Sequence, residues 1–379
     1  MDLGPAFALR FGDEPEVVVR SPGRVNLIGE HTDYNEGWVL PVAVDLGTWL
    51  AARPRSDGLL SVASLRLEVE DRAHLADLRP TEGPRWTRYV RGMAALLLEA
   101  GEPLVGADVL IDGDLPLEAG LSSSASLEMG VAVLLLALAG RPVDRRGLAR
   151  LGRRVENEVV GVQSGIMDQL AVACGEEGRA LLIDCRTLRV EPVPFPPGMA
   201  LLVIDSGIPR SLDASPYNQR RAECRAALRG LQEAEPRLRA LRDATPELLE
   251  AHPLAPLLGR RARHVVGENR RVHQAATALR SGDTAHLGRL MVEAHRSLRD
   301  DFEASTPEID SLVEMAVSKP GVPGARLTGA GFGGSVVALV EEQRAQPAGG
   351  EIVESYRRTT GRAGRAYICL PGPGVSVIG

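Results

Sequence analysis

Apolar residues gather into short β-type runs near the start and middle of the chain, and into helix-spaced stripes between and after them. Glu16–Arg20 (EVVVR) is β-branched and predicts a first strand. Leu59–Ser64 and Leu65–Glu70 alternate apolar and polar, which predicts two strands with one exposed face. Trp86–Ala100 carries an amphipathic helical pattern, and ADVLIDGDLP (Ala107–Pro116) reads as the strand after it. That strand feeds a turn marked by Leu115, Pro116 and Gly120, then three serines, then an apolar helix stopped by Gly140. Arg145–Val160 predicts a charged helix containing Glu156, and Gly161–Gly165 a turn before an apolar helix with Asp168 in its first turn.

From Arg179 the texture changes to strands, RALLIDCRTLRVEPVPFP and MALLVIDSG, around a Pro-rich turn. Helices are predicted over Ser215–Leu241, Arg261–Arg280, Thr284–Asp301 and Pro307–Ser318. Gly324–Val340 follows as a glycine-rich turn and a buried strand from Ser335. With 379 residues, the chain is long enough for two domains. The change of texture places their division at 1–185 and 186–379.

Composition is that of an ordinary globular protein, 44% hydrophobic and 25% charged, and a net charge of −6 argues against nucleic acid or an anionic membrane as partner. Four scattered cysteines without CxxC spacing point to free thiols rather than a zinc site or disulfide frame. The N-terminal stretch shows no signal pattern and no apolar run is long enough to span a bilayer, which predicts a cytoplasmic protein.

Three clusters could carry chemistry. Arg24, Asn26, Glu30, His31, Asp33 and Asn35 crowd a loop bracketed by Val25-Leu27-Ile28 and Trp38-Val39-Leu40, so the loop is expected to be pinned on a core, as a sugar site requires. Ser122, Ser123 and Ser124 stand at a helix entrance, where unpaired N–H groups and the helix dipole suit an anion such as phosphate. Read singly, one of them is better explained as an N-cap. Asp168 is as well explained as a favourable charge at its helix dipole. No GxxxxGK[ST] occurs and Lys319 is the only lysine, so phosphate chemistry would have to use arginine, metal, hydroxyls and backbone N–H groups. The helical histidines His264, His273, His286 and His295 lack metal-ligand spacing and read as packed or solvated.

Taken together, PGRVNLIGEHTDYN, LPLEAGLSSSAS, GIMDQ and LTGAGFGG, in that order, resemble the GHMP sugar and metabolite kinases, and the first stretch resembles the galactokinase signature. PYNQRRAEC, RHVVGENRRV and SLRDDFEASTPEID resemble galactokinase segments too. The resemblance implies an α+β fold of two lobes: a mixed-sheet N-terminal lobe, a ferredoxin-like C-terminal lobe, and the active site in the cleft between. It implies ATP and Mg²⁺ as cofactors, galactose as substrate, phosphorylation of the anomeric hydroxyl as the first step of galactose breakdown, and a monomer. Asp168 would be the base and Arg24 its charge-neutralising partner. Glu30, His31, Thr32 and Asp33 would meet the sugar, with Gly165 and Tyr217 completing the pocket. Ser64 and the loop Glu118, Ala119, Gly120, Leu121, Ser122, Ser123 and Ser124 would contact the nucleotide, and Ser124 and Glu156 would hold the metal. Ser335 and Thr306 stand where family members often carry cysteine. The alternatives left open are an N-acetylgalactosamine kinase and a galactose sensor that binds without transferring phosphate.

Overall fold

The computed structural model describes residues 1–117, 119–208 and 216–378. The β-branched runs of the first third build a six-stranded sheet in the order Ser376–Val377, Val17–Asn26, Pro41–Arg55, Gly106–Gly113, Leu59–Ser64, Val69–His74. Its neighbours run antiparallel except Leu59–Ser64 beside Gly106–Gly113, so the sheet is mixed. The serine-led helix, Ser123–Leu138, is apolar on all sides because it is buried on all sides, between this sheet and helix Thr87–Glu99. Ser126, inside it, donates to Ser21 O at 2.8 Å and so fixes the helix to the first strand.

A four-stranded antiparallel sheet, Gly324–Thr328, Ser335–Glu341, Met199–Asp205 and Arg365–Cys369, forms the second lobe. Along Met199–Asp205 the period of two sends Ala200, Leu202 and Ile204 into one core, with helices Tyr217–Gln232, Pro307–Val317 and Glu342–Thr360. Met199, Leu201 and Val203 enter another, with helices Pro256–Ser281 and Thr284–Asp300. That second core also takes in Val25, Leu27, Ile28, Leu40, Val42, Leu115 and Leu121. One apolar cluster therefore joins the lobes behind the loop that carries Glu30 to Asn35 and behind the serine loop. A small sheet of Trp38–Val39, Arg179–Asp184 and Arg189–Pro194 lies alongside, and the chain's last strand returns to the first sheet.

Several elements differ from the sequence reading, among them Gly324–Thr328, a strand where a glycine-rich turn was expected. Leu65–Glu68 is a turn and the strand is Val69–His74, because Leu67 serves the mouth of a cavity rather than a sheet face. The helix expected to Leu241 ends at Gln232, shortly before Pro236. The charged helix is α-helical only over Arg145–Arg154, then widens into a π turn, Val155–Val160. Glu342–Thr360 is helical despite Pro347, since Ala345, Ile352 and Tyr356 are buried against the sheet and packing outweighs propensity. Among the described residues, no helix is long and apolar enough to cross a membrane. All four cysteines are free thiols.

Candidate active site

The clusters singled out in the sequence meet around one cleft of about 650 Å³, lined from both lobes. Asp168 lies at the N-terminus of helix Met167–Cys174. The Arg24 guanidinium forks onto it, Nε to Oδ1 at 2.8 Å and Nη2 to Oδ2 at 2.7 Å, while Nη1 donates to Gly120 O at 2.7 Å. Ser122 donates its hydroxyl to the same carboxylate. Ser122 adopts a left-handed backbone (φ 56°) and does not cap the helix it precedes. The N–H groups of the first turn are therefore left open toward the cleft, the arrangement that suits a phosphate.

The sugar-type loop supplies one wall. Asp33 and Gly165 approach so closely that a Cβ on Gly165 would stand 1.7 Å from Asp33 Oδ2. Burial, with the charge of Asp168 nearby, pushes the Asp33 carboxyl above its usual range. Glu30 is almost fully buried; its Oε1 accepts from Gly329 N at 2.8 Å, and its Oε2 meets Asn26 and Arg326. Both His31 nitrogens are engaged: Nε2 with Ala330 O at 3.1 Å, Nδ1 with the Tyr34 hydroxyl at 2.7 Å. A carbonyl only accepts, so Nε2 carries the proton and Nδ1 accepts from Tyr34. Burial drives the His31 pKa down to about 3, so the ring stays neutral. Its ring leans on those of Phe302 and Tyr217, and Tyr217 closes the cavity on that side.

Thr32 does not reach the cavity. Its hydroxyl sits 2.7 Å from both Gly29 O and Trp38 O, holding the loop's own turn. Ala119 and Leu121 are likewise buried behind the cavity surface. The Ala119 carbonyl accepts from Ser335 Oγ at 2.7 Å and Leu121 O accepts from Arg24 N at 3.0 Å. Gly120, Ser122, Ser123, Ser124 and Ser64 line the cleft as expected. Glu118 lies outside the described residues.

The far end of the cleft is lined by Leu67, Trp86, Tyr89 and Leu127. Sequence reading treated these as a strand position and an ordinary helix face. The only available signal was two aromatics three apart in a chain with 3% aromatic residues.

Ser124 Oγ lies 3.0 Å from Glu156 Oε1, and Glu156 sits buried on the π turn with no ion pair to a cationic side chain among the described residues. Burial, with Asp168 nearby, raises its pKa. A buried carboxylate and a hydroxyl beside an anion site are the hard oxygen donors that Mg²⁺ takes alongside phosphate. Among the described residues no group of three or more His, Cys, Asp or Glu side chains is arranged to hold a metal by itself, so phosphates would have to complete the shell. The residues present fit Mg²⁺ on those terms.

His264 supports this wall from behind, Nδ1 on Ser297 Oγ at 2.9 Å and Nε2 on Glu30 O at 3.1 Å. Burial lowers its pKa to about 4, so the unfolded chain, near 6.5, binds the extra proton and folding loses stability as pH falls from 6.5 toward 4. Removing this group with His264→Gln is expected to flatten the pH dependence of the unfolding free energy by about 1.4 kcal/mol per pH unit across that window. Urea denaturation of both proteins at several pH values measures the difference.

A sugar-type loop, an uncapped serine-led helix and the glycine-rich loop 329–334, which closes the cleft from the second lobe with Gly329 and Ala330, on two α+β lobes, define a GHMP kinase. Family models agree: the galactokinase galactose-binding signature matches residues 5–54, the GHMP kinases N terminal domain 88–176 and the GHMP kinases C terminal 275–357. The chain is 49% identical to the galactokinase of Roseiflexus sp. (strain RS-1) over 376 residues, 99% of this chain and 96% of that one. It is 46% identical to that of Chloroflexus aggregans, over 98% and 96%. Its fold superposes on the crystal structure of Lactococcus lactis galactokinase complexed with galactose at a TM-score of 0.93, with 38% identity and coverage of 99% and 98%. A mevalonate kinase at 19% identity (TM-score 0.69, 94% and 99% covered) shares the fold. The chain belongs to the galactokinase family, and is thus an ATP-dependent phosphotransferase.

Proposed function

We propose that this chain transfers the γ-phosphoryl group of ATP to the anomeric hydroxyl of α-D-galactose, giving α-D-galactose 1-phosphate and ADP. The observation that carries the residue roles is the fork of Arg24 on Asp168 at the mouth of an open helix N-terminus. An anomeric hydroxyl is a weak acid, so Asp168 accepts its proton late, as the bond to phosphorus forms. Arg24 orients the carboxylate and offsets charge on the transferring group. Glu30 and Asp33 take sugar hydroxyls; Gly165 and Tyr217 shape the space around them. His31, with both nitrogens occupied, holds the sugar loop to the closing loop instead of donating to the sugar.

The triphosphate lies on Gly120 and Ser122–Ser124, and the base lies between Leu67, Trp86, Tyr89 and Leu127, with Ser64 nearby. Ser124 and Glu156 would hold Mg²⁺, which when bound would neutralise phosphate charge. Residues 1–185 supply the base, sugar loop and phosphate loop, and 186–379 the closing loop. The protein works as a cytoplasmic monomer on small molecules, without a nucleic-acid or membrane partner.

Phosphorus NMR of the product tests the position of transfer. Coupling of phosphorus to the sugar H1, with no turnover of 1-deoxygalactose, is the expected result; phosphate on any other carbon overturns the reading. Glu156→Gln is expected to raise the Mg²⁺ concentration for half-maximal rate by about 10–100-fold. A Mg²⁺ titration at saturating ATP measures it.

A further inference from the structure

Arg326 is a fully buried charge that none of the roles above uses. It stands on strand Gly324–Thr328 of the second lobe, and its Nη2 meets Oε2 of Glu30, on the sugar loop of the first. Nη1 reaches toward Asn26 O at 3.5 Å, at the root of that loop. Asn26 Nδ2 also donates to Glu30 Oε2, so that oxygen is held from two sides.

Oxygen Oε1 is in a different position. It accepts from Gly329 N at 2.8 Å, and the Thr328 hydroxyl lies 3.2 Å from it. The same hydroxyl lies 3.2 Å from Asn26 O. A hydroxyl has one proton, so whenever Thr328 donates to Asn26, Oε1 keeps an acceptor position open. Glu30 lines the cavity, and Oε1 is the oxygen of its carboxylate that Arg326 and Asn26 do not hold.

We propose that Arg326 is a positioning residue for the sugar: by occupying Glu30 Oε2 it turns Oε1 to the cleft as the acceptor for a galactose hydroxyl. The inference rests on the galactose reading above. Its guanidinium supplies both direction and charge, which a lysine would supply only in part. The nucleotide end of the cleft is lined by other residues and does not depend on it.

The test measures galactose and ATP affinity by calorimetry, with steady-state KM and kcat, for wild type, Arg326→Met, Arg326→Lys, Glu30→Gln and the Glu30→Gln/Arg326→Met double variant. Arg326→Met is expected to weaken galactose by about tenfold or more, as loss of a charge-assisted contact does, and to leave ATP affinity within about twofold. Arg326→Lys should recover part of the loss. In the Glu30→Gln background the Met substitution should change galactose affinity by less than about twofold, since the coupling partner is gone. Equal losses for galactose and ATP, or the same fold-change in both backgrounds, would overturn the proposal and leave Arg326 as an interlobe staple. A wild type that turns over galactose beside an unaffected Arg326→Met also overturns it. A wild type that neither binds nor turns over galactose overturns the functional reading and this inference with it.

Discussion

Asp168→Asn is expected to lower kcat by about 10³-fold, within the range for loss of a positioned general base, while galactose KM shifts only a few-fold. The size follows from how many interactions meet at one carboxylate. Arg24 holds both oxygens and Ser122 donates to one of them, so the residue is oriented before substrate arrives. An amide keeps the volume but turns a donor toward the guanidinium and cannot accept the anomeric proton. ADP release with saturating sugar and ATP measures the change, and thermal unfolding of the variant checks that the fold survives loss of the ion pair. A kcat within tenfold of wild type would remove Asp168 from the chemistry.

Gly165→Ala is expected to weaken galactose by about 10²-fold, comparable to a misplacement of about an ångström in a binding constellation. The added methyl would meet Asp33 Oδ2 at 1.7 Å and Cγ at 2.1 Å. The Tyr34 N–H holds Asp33 Oδ1 at 2.8 Å, so moving the carboxylate breaks that bond. The carboxylate must leave its place or the turn before Asp168 must move. If Asp33 alone yields, galactose KM rises with kcat nearly intact; if the turn moves, kcat falls too. Steady-state kinetics separates these, and an unchanged galactose KM would show that Asp33 is not a sugar ligand.

Much of this was legible before the structure. The ordered motifs, through the family they resemble together, carried family, fold class and the meeting of Arg24, Asp168 and the serine loop, although Asp168 and each serine read singly has an ordinary local explanation. What stayed hidden depended on distance in space. The π turn under Glu156 leaves no mark in the apolar pattern, since Val155 and its neighbours continue a helical stripe. Trp86, Tyr89 and Leu67 look like core positions because an apolar cleft wall and a core use the same residues. Thr32 sits among ligand-like residues yet spends its hydroxyl on its own turn. Ser335 shows the reverse: it looked like a neutral replacement for cysteine, and it donates across the lobes to Ala119 O in the serine loop. Arg326 read as part of a glycine-rich turn; it stands on a buried strand, and its partner lies 296 positions away in the chain.

The most direct test of the central claim is Mg²⁺-dependent ADP release from ATP against galactose, N-acetylgalactosamine, glucose and mevalonate. Galactose should dominate the panel, with turnover abolished by Asp168→Ala while galactose binding persists. Preference for N-acetylgalactosamine would reassign the substrate. Binding of galactose and ATP without any release of ADP would contradict the account, and would make the serine loop and the Arg24–Asp168 pair parts of a sensor.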